Sequence, residues 1–573
     1  MLSVVRHISA PSAALPALSC LSSRLASPCA ARTQRFVRHF GLWSKELEKG
    51  HVYKDANEII NHDLIFKHLE ATKGAAKDKN VIKDILERAK ERSFLKDGPA
   101  TGGSEYVRGL ELDECATLLN VNPDDTDIME EIYNTAFDIK NRIYGNRIVL
   151  FAPLYLANYC VNGCAYCAFR SSNKAIQRTK LSDQQVTEQV SILERQGHRR
   201  ILALTGEHPA YTFEDFLHAL KLITEVRTEP CGSIRRINVE IPSLSVSDMK
   251  RLKAADCVGT YTLFQETYHK PTFHTMHPWG PKSHYENRVL THDRAMRGGL
   301  DDVGIGVLFG LYDYRFECMA MLMHSNHLEE EYRAGPHTIS VPRMRPAMGS
   351  GVASDPPYPV DDAHFKKLVA ILRIAVPYTG MILSTREAPE MRAHLLRVGM
   401  SQMSAGSSTE VGGYHRHATQ RTDESLGDLT MQALLPEKYG KAAAGDTAMD
   451  HEHTDPNLGG QFQLEDTRSS EEIVHDLLES GYVPSWCTAC YRKGRTGEHF
   501  MKIAKAGNIH NFCHPNSLLT LQEWLNDYAS PEIKELGNKV IAREKEIDLS
   551  DSAKRLLDRK MEAVNKGQHD VYI

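Results

Sequence analysis

Leu156-Ala-Asn-Tyr-Cys160-Val-Asn-Gly-Cys164-Ala-Tyr-Cys167-Ala-Phe-Arg170 is the stretch whose reading fixes the architecture. It sets three cysteines as C-x3-C-x2-C directly behind a β-prone run, Ile148–Ala152. Three closely spaced thiols can hold three corners of a cubane cluster, which takes one ligand per iron and four cysteines when closed. Gly163 gives the loop backbone conformations that a β-carbon would obstruct. A zinc site usually draws on C-x2-C pairs and four ligands, which this loop alone does not supply. The triplet therefore reads as an iron–sulfur site with one iron left open to a non-protein ligand.

Outward from this loop the chain alternates short β-prone runs with helix-length segments. After Ile148–Ala152 come Arg200–Leu204, Ile237–Ile241, Thr260–Gln265, Val303–Leu308, Thr338–Val341, Met381–Ser384 and Gln402–Ala405. Eight such repeats predict a (β/α)8 TIM-type barrel over residues 146–435. In that fold the chemistry sits on loops at the C-terminal ends of the strands. The cysteine loop, Thr205-Gly206-Glu207, Glu240, and Glu266 through His269 all fall there. Before the barrel, residues 46–145 read as a helical layer, with amphipathic helices at Asn61–Lys73, Val81–Phe94, Leu110–Leu119 and Thr126–Ile143. Residues 436–460 are poor in large apolar side chains and read as an exposed loop. A mainly helical, cluster-binding C-terminal domain is expected over 461–573, opening with a helix at Ser470–Leu478.

That last domain carries a second triplet: Cys487 and Cys490 as C-x2-C, then Cys513 after 22 further residues. It too is one thiolate short of a closed cubane. With His514 beside Cys513, the residues alone allow a Cys3His zinc knuckle equally well. Of the 12 cysteines, Cys115, Cys231, Cys257 and Cys318 are scattered singly, which is not a disulfide framework. A net charge of −5 gives no basic excess for a nucleic-acid partner, and no apolar run is long enough for a membrane span. Residues 1–45 hold Arg6, Arg24, Arg32, Arg35 and Arg38, many Ser and Ala, and no acid. This is the composition of an organellar transit peptide, with a mitochondrion or mitochondrion-derived organelle as the expected address and a plastid as the alternative.

C-x3-C-x-aromatic-C behind the first strand of a β/α barrel resembles the radical S-adenosylmethionine superfamily. Gln265-Glu-Thr-Tyr-His269, Met276-His-Pro, Gly280-Pro-Lys, Asp302–Asp313 and Ser340-Val-Pro-Arg343 narrow the likeness to its aromatic amino-acid lyases. Among these, C-x2-C-x22-C near the C-terminus resembles the FeFe-hydrogenase maturases, whereas the 2-iminoacetate synthase of thiamine thiazole synthesis has no second cluster. The resemblance implies a carbon–carbon lyase that acts on L-tyrosine. It would release p-cresol and dehydroglycine, then form CO and cyanide for H-cluster assembly. It also implies two 4Fe-4S clusters and S-adenosylmethionine, with an additional iron bridged by cysteine at the C-terminal cluster. The partners it implies are an electron donor such as ferredoxin and other hydrogenase maturation proteins. A 2-iminoacetate synthase with a structural C-terminal metal, and a non-catalytic iron–sulfur carrier, are the competing readings.

The same resemblance distributes roles over residues. Cys160, Cys164 and Cys167 hold the first cluster, with Tyr166 beside the cofactor. Cys487, Cys490 and Cys513 hold the second, and His269 would ligate its extra iron. Gly206 and Glu207 match the motif that holds the cofactor's amino group. Glu240 would meet the ribose, or is a solvated acid. Gly304-Ile-Gly306-Val either packs near the adenine or is a strand of small residues. Arg343 or Arg345 would grip the tyrosine carboxylate, or pair with an internal acid. Phenol and proton management falls to His277, Tyr312 or Glu266, among which spacing does not choose. His451 and His453, in a polar acidic loop, read as solvated.

Overall fold

The longest strand organises the molecule. In the computed structural model, which describes residues 48–93, 107–415, 459–506, 509–547 and 549–573, β1 runs over Arg147–Ala157 and is buried along nearly its whole length. Its C-terminal half pairs with β2 (Arg200–Thr205), its middle with β8 (Gln402–Ser404). Between these lie β3 (Arg236–Glu240), β4 (Val258–Thr262), β5 (Val303–Gly306), β6 (Thr338–Ser340) and β7 (Gly380–Leu383). Every neighbouring pair is parallel, and β1 closes the ring between β8 and β2. The result is the (β/α)8 barrel: all eight predicted strands are present, seven within three residues of their expected ends and β1 running five residues further, to Ala157.

A ninth strand was not anticipated. β9 (Val483–Ser485) pairs in parallel with Arg147–Val149, the N-terminal end of β1. It is three residues long with a central proline, Val-Pro-Ser, and so gives no strand signal of its own. Proline is tolerated because this strand lies at the outer edge of the sheet order.

Crossover helices follow from side-chain caps and apolar faces. Ser182 and Thr212 cap the helices Asp183–Arg195 and Phe213–Glu225 through reciprocal capping boxes with Gln185 and Asp215. Helices His62–Ala71, Lys79–Ser93, Leu112–Leu119 and Thr126–Tyr144 precede the barrel. The last of them buries Ile128, Ile132, Ala136, Ile139 and Ile143 on one stripe, packed on helix Asp362–Ala375.

Beyond β8 the described chain resumes at residue 459 and crosses the barrel mouth. Gln463 and Glu465 bond back to the carbonyls of Pro346 and Thr385. It then descends through helix Ser470–Glu479 to β9 at the opposite end. Helix His510–Asp527 packs on β9 and on helices Pro531–Lys545 and Asp551–Asn565. The expected leader over 1–45, most of the loop at 436–460, and His451 and His453 lie outside the described residues.

Candidate active site at both ends of one barrel

Cys160, Cys164 and Cys167 lie just past the C-terminal end of β1, so the first triplet is at the barrel mouth. The loop is tied down residue by residue. Asn162 donates to the Cys160 sulfur at 3.6 Å and to Glu207 Oε2 at 2.7 Å. The backbone N–H of Val161 bonds to the Glu207 carbonyl. Gly206 is required beside this loop, because a β-carbon there would stand 2.3 Å from the Tyr159 carbonyl oxygen. Thr205-Gly206-Glu207 is thus brought against the first cysteine of the loop. Burial pushes the Cys164 thiol up to about 12, so a bare thiolate is disfavoured there and would need a cationic centre to form. Two amide donors aimed at sulfur, from Asn162 to Cys160 and from Gln461 to Cys167 at 3.6 Å, suit ligated thiolates. The donor set therefore fits an iron–sulfur cluster.

Behind the loop opens a cavity of about 1170 Å³, counted to its open end. Tyr166, Cys167, Glu240, Glu266, Arg345 and Arg386 bring the polar groups to its lining. The Tyr166 hydroxyl meets His277 Nε2 at 2.8 Å, and His277 Nδ1 lies 2.8 Å from the Phe273 carbonyl. The carbonyl can only accept, so Nδ1 carries the proton and the tyrosine donates to Nε2. Glu266 adopts a left-handed backbone, φ 70°, that aims its carboxylate at Lys282 Nζ 2.6 Å away, with Arg288 at 3.6 Å. Burial opposes its ionisation, but Lys282 and Arg288 outweigh burial and hold it below the usual range. Glu266 therefore holds charge and is a weak base. Glu240 is pushed the other way, up to about 7, by burial and by the Glu266 charge. Two carboxylates in one cavity are thus set apart in acidity, an arrangement suited to dividing their roles.

The Glu240 shift has a testable sign. A carboxyl whose folded pKa lies above its unfolded value contributes stability that is complete below about pH 4.5 and is lost as pH rises through 7. Holding it ionised costs about 3 kcal/mol. Glu240→Gln is expected to raise the Tm of the cluster-free protein at pH 8 and leave it unchanged near pH 4.5, read by thermal scans at both values. Equal shifts at both would show that Glu240 titrates normally.

The two predicted carboxylate grips differ in placement. Arg343 is absorbed by structure: it bonds to Glu387, to Asp362 at 2.8 Å and to the Val360 carbonyl, and it does not line the cavity. Arg345 lines it, but bonds to the same Glu387 at 2.9 Å. The cation missed in the sequence is Arg386. It lines the cavity, stacks over the Phe462 ring at 3.3 Å, and feels the charges of Glu266 and Glu240 without forming a direct ion pair among the described residues. It follows β7, at the strand end where such a residue belongs. Gln461, bonded to the Tyr155 hydroxyl at 2.8 Å, closes the mouth together with Phe462.

The second triplet is at the other end. Cys487 follows β9 and so lies beside the N-terminal ends of the strands. Cys487, Cys490 and Cys513 share a cavity of about 540 Å³ with Arg147, Arg200 and Arg236, which begin β1, β2 and β3, and with His337, just before β6. Three buried guanidinium groups around three thiols form a nest made for negative charge. Burial and the adjacent Arg236 pull Arg200 down to about 9, and Arg147 Nε and Arg200 Nε lack hydrogen-bond partners. The hydrogen bond from the Cys490 thiol, with Arg147 and Arg495, holds Cys513 below its ordinary value, while the same bond raises Cys490 and burial raises Cys487. This set fits an anionic cluster. His514, the ligand of a zinc knuckle, is absent from the lining and its Nε2 meets the Glu544 carbonyl at 2.9 Å.

His269 is corrected by this geometry. It follows β4 at the mouth, where its ring stacks on Tyr312 at 3.7 Å and its Nδ1 meets Thr272. Burial and His62 push it down to about 4. From Arg147 to Ala157 β1 alone spans roughly 30 Å at about 3.3 Å per residue, so His269 is not a ligand for a metal held by the second triplet. The imidazole facing that triplet is His337, whose Nδ1 lies 3.5 Å from Asp302 and has no hydrogen bond. The expectation rested on a matched motif, which does not fix the end of the barrel that a residue serves.

The two cavities abut inside the barrel. Val149, Arg200, Arg236, Gly380 and Gln402 line the lower one, and the next inward residues, Phe151, Leu202, Asn238, Ile382 and Ser404, line the upper. Thr338 Oγ1, Gln402 Oε1 and Ser404 Oγ are buried there without partners. A TIM barrel normally fills this space with branched apolar side chains; here Thr338, Gln402 and Ser404 interrupt the apolar Phe151, Leu202 and Ile382.

Residues 154–324 match the family model of the Radical SAM superfamily, and residues 340–483 that of the Biotin and Thiamin Synthesis associated domain. The chain is 30% identical over 338 residues to the 2-iminoacetate synthase of Salmonella typhimurium, covering 57% of this chain and 86% of that one. It is 44% identical to the crystal structure of HydG, a maturase of the [FeFe]-hydrogenase, with a TM-score of 0.77, covering 90% of this chain and 100% of that chain. With the FeFe-hydrogenase maturase HydG from Carboxydothermus hydrogenoformans it shares 33% identity and a TM-score of 0.67, over 88% and 99% of the two chains.

Proposed function

The chain belongs to the radical S-adenosylmethionine superfamily and within it to the HydG maturases, and from that membership we propose that it cleaves L-tyrosine to p-cresol and dehydroglycine. The two-carbon fragment then yields CO and cyanide for iron destined for the FeFe-hydrogenase active site. The observation that carries this reading is a pair of cysteine triplets at opposite ends of one barrel, each opening on its own cavity inside it.

Cys160, Cys164 and Cys167 would hold a cluster, which when bound would supply the one-electron chemistry for reductive cleavage of S-adenosylmethionine. The chain's own groups do the rest. Glu207, fixed by Asn162 beside the cysteine loop, offers a carboxylate to the cofactor's amino group. Tyr166, its hydroxyl pinned by His277, presents a fixed ring to the cavity. Glu240, partly protonated near neutral pH, can donate to or accept from a ribose hydroxyl. Arg386, backed by Phe462, is the guanidinium best placed for the tyrosine carboxylate. Gln461 and Phe462 shield the cavity from water, which protects a reactive fragment. The waist of Thr338, Gln402 and Ser404 offers that fragment hydrogen bonds on its way to the arginine nest, where Cys487, Cys490 and Cys513 would hold a second cluster with its extra iron.

The thiazole-type lyase with a structural zinc would need only a closed four-ligand site, with metal–ligand bonds of about 2.0–2.3 Å. A site lined by three arginines is more cationic than that role requires. A non-catalytic carrier leaves the 1170 Å³ upper cavity without use. The test is infrared spectroscopy on the anaerobically reconstituted protein with S-adenosylmethionine, 13C-tyrosine, cysteine, iron and dithionite. Isotope-shifted Fe–CO and Fe–CN bands are expected; p-cresol without them would reduce the protein to a simple tyrosine lyase.

A further inference from the structure

Three segments interlock around the first cysteine loop. Gly163 N–H bonds to the Trp279 carbonyl and Ala165 N–H to that of Met276. Arg170 donates to the Gly349 carbonyl, Asn173 to that of Met348, and Ser350 to that of Ala165. Residues 158–182, 268–285 and 341–354 thus form one cap. None of the three contains an Asp or Glu, in a chain with 74 acids and a net charge of −5. Arg170, Lys174, Arg178 and Lys180 lie in the first segment, and no ion pair joins any of them to an acid among the described residues. Lys174 and Lys180 are exposed.

In the middle of this cap stands Trp279, 46% exposed and one of the few large apolar side chains so placed. Its indole rests on Gly163, between Cys160 and Cys164, so closely that a β-carbon on Gly163 would be 2.4 Å from the ring. Its Nε1 donates to Ser171 at 2.9 Å. One face of the ring meets solvent while the other meets the backbone that carries the cysteines.

We propose that this acid-free cap, centred on Trp279, is the docking surface for an acidic one-electron carrier protein that reduces the first site. The inference rests on the proposed radical chemistry, which needs an electron delivered to the triplet. Charge argues for the occupant: a cap whose own segments carry cations and meet acids only at their borders, Asp183, Glu286 and Asp355, attracts a negative partner to its centre and steers its approach. An aromatic side chain amid charges is the usual anchor of a transient interface. Contact through Trp279 and Gly163 gives the carrier a short route to the cysteine loop.

The test compares two reductants on the reconstituted holoenzyme, reading 5′-deoxyadenosine from S-adenosylmethionine. The protein reductant is an acidic [2Fe–2S] ferredoxin and the small one is dithionite. Lys174→Glu/Lys180→Glu is expected to raise the KM for ferredoxin at least tenfold and leave the dithionite-driven rate within twofold. The milder Lys174→Gln/Lys180→Gln pair should fall between, guarding against a folding defect. Wild-type turnover with ferredoxin, and not with dithionite, should fall as NaCl rises from 50 to 300 mM, beyond the effect on bulk activity. An unchanged ferredoxin KM in both variants would overturn the docking surface, as would a charge reversal that impairs only delivery of product to another protein. No deoxyadenosine with dithionite in the wild type would instead remove the radical chemistry, and the docking surface with it.

Discussion

The double variant Cys487→Ser/Cys490→Ser is expected to form p-cresol at a rate within about twofold of the wild type and to form no detectable CO or cyanide. The asymmetry follows from position. These thiols line the cavity at the N-terminal ends of the strands, while every residue assigned to the first step lies at the C-terminal ends. Roughly 30 Å of β1 separates the two, and sites this far apart without shared partners behave additively. The lower site can therefore lose its metal without disturbing the upper cavity. Cys164→Ser should abolish both product sets, since the lower chemistry consumes what the upper one makes. The measurement is parallel chromatography of p-cresol and infrared detection of CO on one reaction mixture. A double variant that loses p-cresol as well would mean that the C-terminal metal is needed for the fold of the mouth, as a structural zinc would be.

His337→Ala should resemble the double variant in kind, with less loss. It lines the cavity of the lower triplet, with Nδ1 3.5 Å from Asp302 and in no hydrogen bond, so its removal takes one donor and leaves three thiols. His269→Ala should leave CO formation intact, because that ring is occupied by Tyr312 and Thr272 at the mouth.

Much of this architecture was legible because it is local. The cysteine loop, its glycine and the alternation of strand and helix are short-range patterns, and each of the eight strands carries its own run of β-formers. Gly206-Glu207 was legible only in register with that loop, since nothing in the tripeptide itself demands a partner. What escaped depends on closure of the barrel. β9 is three residues held by β1, and no property of Val483-Pro-Ser485 announces it. Arg147, Arg200 and Arg236 carry no signal in the sequence, because their convergence exists only once β1, β2 and β3 stand side by side. His337 was hidden for the same reason, and His269 was overvalued because a matched motif names a neighbourhood without fixing which end of the barrel it serves. Arg386 was within reach: it follows β7 at the end where binding residues collect, but two arginines in Pro342-Arg-Met-Arg345 drew the reading first.

Gly304→Val is expected to uncouple the two steps without touching either triplet. Gly304 sits in β5 between Thr262 on β4 and Thr338 on β6, in register with both. Thr262 lines the upper cavity, and Gly380, paired with Thr338, lines the lower one. The missing side chain is therefore missing at the junction of the two. A β-carbon there would stand 2.5 Å from Thr338 Oγ1 and 2.8 Å from Thr262 Oγ1, so valine must push both hydroxyls aside and project into the waist. Overpacking of this kind costs about 1–3 kcal/mol, which a barrel of this size tolerates. The expected result is p-cresol within a few-fold of wild type, CO and cyanide reduced at least tenfold, and the two-carbon fragment recovered from solution as glyoxylate. Gly304→Ala should show the same direction with a smaller loss, since one methyl narrows the waist less. The measurement is a carbon balance on 13C-tyrosine, counting CO, cyanide and glyoxylate against p-cresol. If the valine variant keeps CO in proportion to p-cresol, the fragment does not travel through the barrel. It must then leave the mouth and reach the lower site through solvent, and the polar row of Thr338, Gln402 and Ser404 would serve only to hold water inside the fold.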